Sequence, residues 1–138
     1  MDIRYPALLE PQEPTGYCVR FPDLDEAITE GDTLDECLFN AADVLTLTLE
    51  GRLEEDQPIP EPTPNLADAY YIPPEAPTQA ALLVRKARGE RSLAEVARAL
   101  GTSWPSAKRL EDPRHSPTIK QLEKAAAALG KRLVLVFE

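Results

Sequence analysis

Pro58, Pro60, Pro62 and Pro64 alternate with Ile59, Glu61 and Thr63, and Pro73, Pro74 and Pro77 follow soon after. Each proline locks φ and lacks an amide hydrogen, so neither a helix interior nor a central strand can pass through such a run. The chain must therefore organise itself on either side of it. An extended connector is expected at 57–68 and a domain boundary at 73–77, which gives an acidic domain over 1–75 and a second domain over 76–138. The charge changes sign at the same place. Residues 1–75 carry only Arg4, Arg20 and Arg52 against eighteen acids, a balance of −15, whereas residues 76–138 carry twelve bases against six acids, +6. Taken whole, the net charge of −9 would argue against nucleic acid as a partner. Divided, it points to two modules with different partners.

Other classes are disfavoured by what is missing. The longest uninterrupted apolar runs, Leu133–Phe137 among them, are five residues, far short of the roughly 20 that span a bilayer. Met1-Asp2-Ile3-Arg4-Tyr5-Pro6 has no basic and then apolar stretch of the secretory kind, so a cytoplasmic location is expected. Cys18 and Cys37 form no closely spaced pair and His115 is the single histidine, so no metal site and no cofactor are expected. Nucleophilic triads are almost excluded on the same ground. An enzyme would have to run on carboxylates alone, and none is expected.

The expected fold class is α+β. Ile3, Tyr5, Ala7 and Leu9 have the period of a half-buried strand, 11–16 reads as a hairpin loop, and Tyr17, Val19 and Phe21 share one face of a second strand. A third strand is expected at 26–30. Thr33-Leu34-Asp35-Glu36 fits a capping box, and Leu34, Cys37, Leu38, Ala41, Leu45 and Leu49 form one apolar stripe of the helix it opens. Ala69–Ile72 closes a small antiparallel sheet as its last strand.

The second domain reads as all-α. A helix is expected over Thr78–Arg88, ended by Gly89. Ser92 and Thr118 head two further capping boxes, with their helices stopped by Gly101 and Gly130, and Ser103 caps a short helix to Glu111 that tolerates Pro105 in its first turn. Leu133–Phe137 is then a strand apolar on both faces, which needs cover on each side and is expected at a dimer or interdomain seam.

The run from Ser92 to Glu111 joins two capped helices through a tight Gly101-Thr102 turn, with Ala97 at the close approach and Val96, Leu100, Ala107 and Leu110 in the seam. This is the arrangement of a helix-turn-helix. Residues Ala97–Glu111, with Ser116-Pro117-Thr118, Leu122 and Ala128-Leu129-Gly130 further on, resemble the Xre/Cro-like DNA-binding domain. The resemblance implies that Ser103–Glu111 enters the major groove, with Ser103, Trp104, Ser106, Lys108 and Arg109 towards DNA. Arg109 is the best candidate base reader, because a guanidinium pairs bidentately with guanine. Trp104-Pro105 departs from the family, where polar residues are usual. Arg85, Arg88, Arg91, Arg114 and Lys120 are candidate phosphate contacts.

In the acidic domain Asp23, Asp25, Glu26, Glu30 and Asp32 fall within ten residues. They fit a solvated loop, the contact surface of a basic protein, or a carboxylate metal site for phosphodiester hydrolysis, which lacks a supporting His or Lys. Tyr5–Leu9, Gly16–Leu24 and Ala27–Cys37 resemble the HicB antitoxin family, with Cys37 where Ala is usual. Together with the helix-turn-helix, the resemblance covers nearly the whole chain. It implies a partly RNase H-like sheet without nuclease activity and a small basic mRNA-cleaving toxin, HicA, as partner. It also implies repression of its own operon. Because a helix-turn-helix protein reads two half-sites about one turn apart, a homodimer or higher oligomer is expected. Asp23, Asp25, Glu26, Glu30 and Asp32 would then face the toxin. The alternatives are a stand-alone repressor that senses a small molecule and a carboxylate-dependent nuclease.

Overall fold

β1 (Tyr5–Pro11) departs from the expected alternation, with Tyr5, Pro6 and Ala7 all buried, Leu8 and Leu9 half-buried and its end exposed; it turns through Gly16 into β2 (Tyr17–Phe21) and then β3 (Leu24–Gly31). The structure, a computed structural model, describes residues 1–138. Gly16 has φ +82, and a Cβ there would lie 2.7 Å from the Gly31 carbonyl oxygen, so this corner excludes any side chain. With β4 (Tyr70–Ile72) the strands form one antiparallel sheet in the order β3-β2-β1-β4. Tyr5, Ala7, Val19, Phe21 and Ala27 are buried in this unit.

The long helix α1 (Leu34–Glu54) packs along β3, starting where the Thr33 hydroxyl accepts the Glu36 amide at 3.2 Å. Cys37, Ala41, Leu45 and Leu49 are buried as their spacing requires, and Leu53 extends the stripe. Leu34 departs from the expectation. It is exposed, because in the first turn it lines an open hollow of about 430 Å³ with Leu9, Tyr17 and Tyr70 instead of closing the core. Gly31 holds the junction of β3 and α1: a Cβ there would lie 2.9 Å from both the Cys37 amide nitrogen and its Sγ. Gly31→Ala is accordingly expected to cost about 2 kcal/mol through overpacking, measurable as a lower denaturation midpoint with an unchanged m-value.

The proline-rich segment is extended, as expected, but it is no free linker. The Tyr5 hydroxyl donates to the Pro60 carbonyl at 2.6 Å, and Arg52 donates to the Pro58 carbonyl at 3.0 Å. The Thr63 amide and hydroxyl donate to the Asp23 carboxylate at 2.9 and 2.6 Å. Tyr71 completes the fastening, donating its hydroxyl proton to the Thr63 carbonyl and accepting the Leu66 amide. Burial, reinforced by Glu61 and Asp23, raises the Tyr5 pKa well above that of an ordinary phenol, so the hydroxyl stays a donor at any working pH. These bonds strap 58–66 to the first unit.

The chain divides into two compact units, Asp2–Gln79 and Ala80–Glu138, with the division inside α2 (Ala76–Arg88). That helix begins two residues before the expected start, because Pro77 is accommodated in its first turn, where no intrahelical donor is needed. The second unit continues with α3 (Leu93–Leu100), α4 (Trp104–Arg109) and α5 (Ile119–Ala128). Ser92, Ser103 and Thr118 each accept a backbone amide as N-caps, and at Thr118 the Gln121 side chain closes the box reciprocally. Gly101, at φ 67, ends α3 in the left-handed conformation that the tight turn demands. Val84, Val96, Ala97, Ala107 and Leu129 form the core, with Leu100, Leu110 and Leu122 at its margin.

One expected element does not form. Residues 131–138 make no strand, and Val134, Leu135, Val136 and Phe137 are exposed. The helical second unit offers no sheet edge on which this segment could pair its amides and carbonyls.

Candidate functional site

Two surfaces carry the residues singled out above. On the second unit, the Ser103 cap starts α4 so that Trp104, Lys108 and Arg109 all stand exposed, with Ser106 half-buried. The Ser103 hydroxyl accepts the Ser106 amide at 3.3 Å and donates to the Ser106 hydroxyl at 3.0 Å. One turn apart on the helix, Lys108 lies with its Nζ 5.3 Å from the centre of the Trp104 ring, a cation–π pair. The departure at Trp104 thus places an aromatic face beneath a cation.

The other expected basic contacts are not equivalent. Lys120 is exposed, and Arg114 is exposed with its Nε 3.3 Å from Asp112. Arg85 is half-buried and already engaged in the fold. Arg91 reaches the Leu129 carbonyl at 3.5 Å. Arg88 is not available to a phosphate. Its Nε and Nη2 form a fork on the Glu111 carboxylate at 2.7 and 3.1 Å, its Nη1 donates to the Arg91 carbonyl at 3.0 Å, and Glu111 is buried. The guanidinium is spent inside the unit.

The acids of the first unit sort in the same way. Asp23 is occupied by Thr63. Glu26 takes a bidentate bond from Arg52, at 2.8 Å to Nε and 2.7 Å to Nη2. The side-chain bond from Arg52 holds the Glu26 carboxyl at about 2, below its ordinary 4.5, and Glu26 in turn raises Arg52. Because the folded value is the depressed one, the pair's contribution is complete above about 4.5 and fades as pH falls towards about 2. Glu26 is half-exposed, so the loss is expected to stay near 1 kcal/mol or less. Acid titration of stability in Glu26→Gln should be flatter than wild type over that window. Glu30 accepts from Gln12 Nε2 at 3.1 Å, whereas Asp25 and Asp32 simply face solvent. The five acids therefore do not act as one cluster, and no group of three or more His, Cys, Asp or Glu side chains is placed to hold a metal ion. No helix is long and apolar enough to cross a membrane.

The profile of the HicB_like antitoxin of bacterial toxin–antitoxin systems matches residues 4–80, the whole sheet, α1 and the strapped segment. The chain belongs to the HicB-like antitoxin family. Antitoxin HicB 1 of Photorhabdus laumondii is 36% identical over 137 residues, covering 99% of this chain and 88% of that protein. Antitoxin HicB of Escherichia coli is 34% identical over 137 residues, covering 98% and 99% respectively. Antitoxin HicB of Pseudomonas fluorescens is 31% identical over 124 residues, covering 88% and 83%. The HicB relatives thus match the second unit as well as the part covered by the family profile.

Sequence spacing missed two features of this HicB-like chain. The Arg88–Glu111 pair joins residues 23 apart, beyond any local periodicity. Phe39 and Leu47 stand exposed on α1, and the signal for them was present, since both fall off the buried stripe.

Proposed function

We propose that the first unit captures a small basic, mRNA-cleaving toxin of HicA type, and that the second binds operator DNA and represses the operon that encodes the pair. The observation that carries this is the coincidence of charge with architecture: −15 lies on residues 1–75 and +6 on residues 76–138, and the chain divides into its two units close to that point. An acidic surface attracts and steers a basic RNA-binding protein, and a basic one is drawn to phosphate. Both would act in the cytoplasm. In this reading the first unit is a partial RNase H-like sheet that does not act as a nuclease.

In this proposal α3 and α4 are a helix-turn-helix of Xre/Cro type, with α4 in the major groove. Arg109 reads a guanine edge, and Ser103, Ser106 and Lys108 contact the rim. Trp104 supports Lys108 and offers an apolar face to a thymine methyl. Arg114 and Lys120 contact phosphates, with Arg85 a weaker candidate because it is engaged in the fold. A homodimer reads two half-sites about one helical turn apart.

Arg109→Ala is expected to cost roughly 1–3 kcal/mol on operator DNA and much less on random DNA. Equal loss on both would reduce Arg109 to a phosphate contact. On the first unit Asp25, Glu30 and Asp32 contact the toxin, while Asp23 and Glu26 contribute field rather than direct bonds. Reversing Asp25, Glu30 and Asp32 to Lys should slow toxin association at low salt, and an unchanged rate would remove them from the interface.

A further inference from the structure

One line on α1 serves nothing inside the first unit. Asp35, Phe39, Asp43, Leu47 and Gly51 succeed one another at four-residue steps and are all exposed. Residues four apart adjoin on a helix, so the five form a ridge that winds about 40° per step and keeps opposite the buried Cys37–Leu53 stripe, which winds with it. Phe39 is 76% exposed and Leu47 59%, about 12 Å apart along the axis. Glu36 and Glu50 flank them.

Gly51 continues the line and is the odd residue on it. Glycine inside a helix weakens it relative to alanine, and here a Cβ would meet nothing within 4 Å. Nothing in this unit requires the position to be bare. A missing side chain on an exposed helix face leaves room for close approach from outside. The charge on the helix then selects what approaches. Its one base, Arg52, is held by Glu26, so a second copy of this face would set carboxylates against carboxylates.

We infer that this outer face of α1 is the docking ridge for the toxin. Apolar toxin side chains close over Phe39 and Leu47, Lys or Arg side chains reach Asp35, Asp43 and Glu50, and the closest backbone approach is at Gly51. The inference rests on the antitoxin proposal, and it moves the energetic centre of the interface from the β3 acids to α1. Buried apolar anchors inside a charged rim are where protein interfaces concentrate their energy.

The test uses the full-length chain and the purified cognate toxin in titration calorimetry, with melting temperature and operator affinity recorded for every variant. Phe39→Ala and Leu47→Ala are each expected to weaken toxin binding by about 30-fold or more, with melting temperature and operator binding unchanged. Gly51→Gln should raise the melting temperature and yet weaken toxin binding, a combination that a purely structural glycine would not give. If wild type binds toxin and all three variants bind it equally well, the ridge is wrong and the antitoxin proposal stands. If wild type binds no toxin, the antitoxin proposal fails first. If Phe39→Ala and Leu47→Ala dissociate an oligomer of this chain while toxin affinity holds, the occupant is a second copy and the inference is overturned.

Discussion

Arg88→Met is expected to destabilise the second unit by about 3–5 kcal/mol, as is usual when one partner of a buried ion pair is removed. The cost arises on the other side of the pair. Glu111 is 9% exposed and receives both arms of the Arg88 fork. Without the guanidinium, its carboxylate remains in a poorly solvated site with no compensating charge. Arg88 also donates to the Arg91 carbonyl, so the turn between α2 and α3 loses a partner at the same time. The double variant Arg88→Met, Glu111→Leu removes both charges and should recover most of the loss. Denaturant unfolding of the full chain checks both. Equal loss in the single and double variants would show that packing, not charge, holds this junction.

Removal of residues 131–138 is expected to lower operator affinity by about 100-fold or more while leaving the affinity for an isolated half-site unchanged. Val134, Leu135, Val136 and Phe137 are exposed, Val136 at 72%. A segment with apolar residues on both faces and an unpaired backbone is a hazard unless something covers it. Two copies of it, paired antiparallel across a two-fold axis, would satisfy each other's backbone groups and link two second units. Such a dimer would turn the second half-site contact into an intramolecular event, an advantage that truncation would forfeit. Sedimentation together with operator titration reads both effects. A truncated chain that sediments and binds like wild type would move the dimer contact elsewhere.

Local rules carried most of the architecture. The caps at Thr33, Ser92, Ser103 and Thr118, the stops at Gly101 and Gly130, and the prolines between 58 and 77 act over a few residues, so they are legible without any tertiary knowledge. Side-chain pairing across long separations was not legible. Asp23 meets Thr63 over 40 residues and Glu26 meets Arg52 over 26, so acids that look alike in a row have quite different work. The same holds for the bases, since nothing near Arg88 distinguishes it from Arg109. Leu34 misled because helical spacing cannot tell a first turn over an open hollow from a closed core. The terminal strand was expected from its own pattern, but a strand needs an edge, and none exists in the second unit.

The central claim is that the acidic unit neutralises a basic toxin independently of DNA binding by the other unit. Growth of cells that express the cognate toxin tests it most directly. Wild-type chain and Arg109→Ala should both restore growth, because capture does not use the operator. A chain with Asp25, Glu30 and Asp32 changed to Lys and Phe39 and Leu47 changed to Ala, present at the same level, should not. Failure of the wild type to restore growth, or full rescue by the five-residue variant, would contradict it.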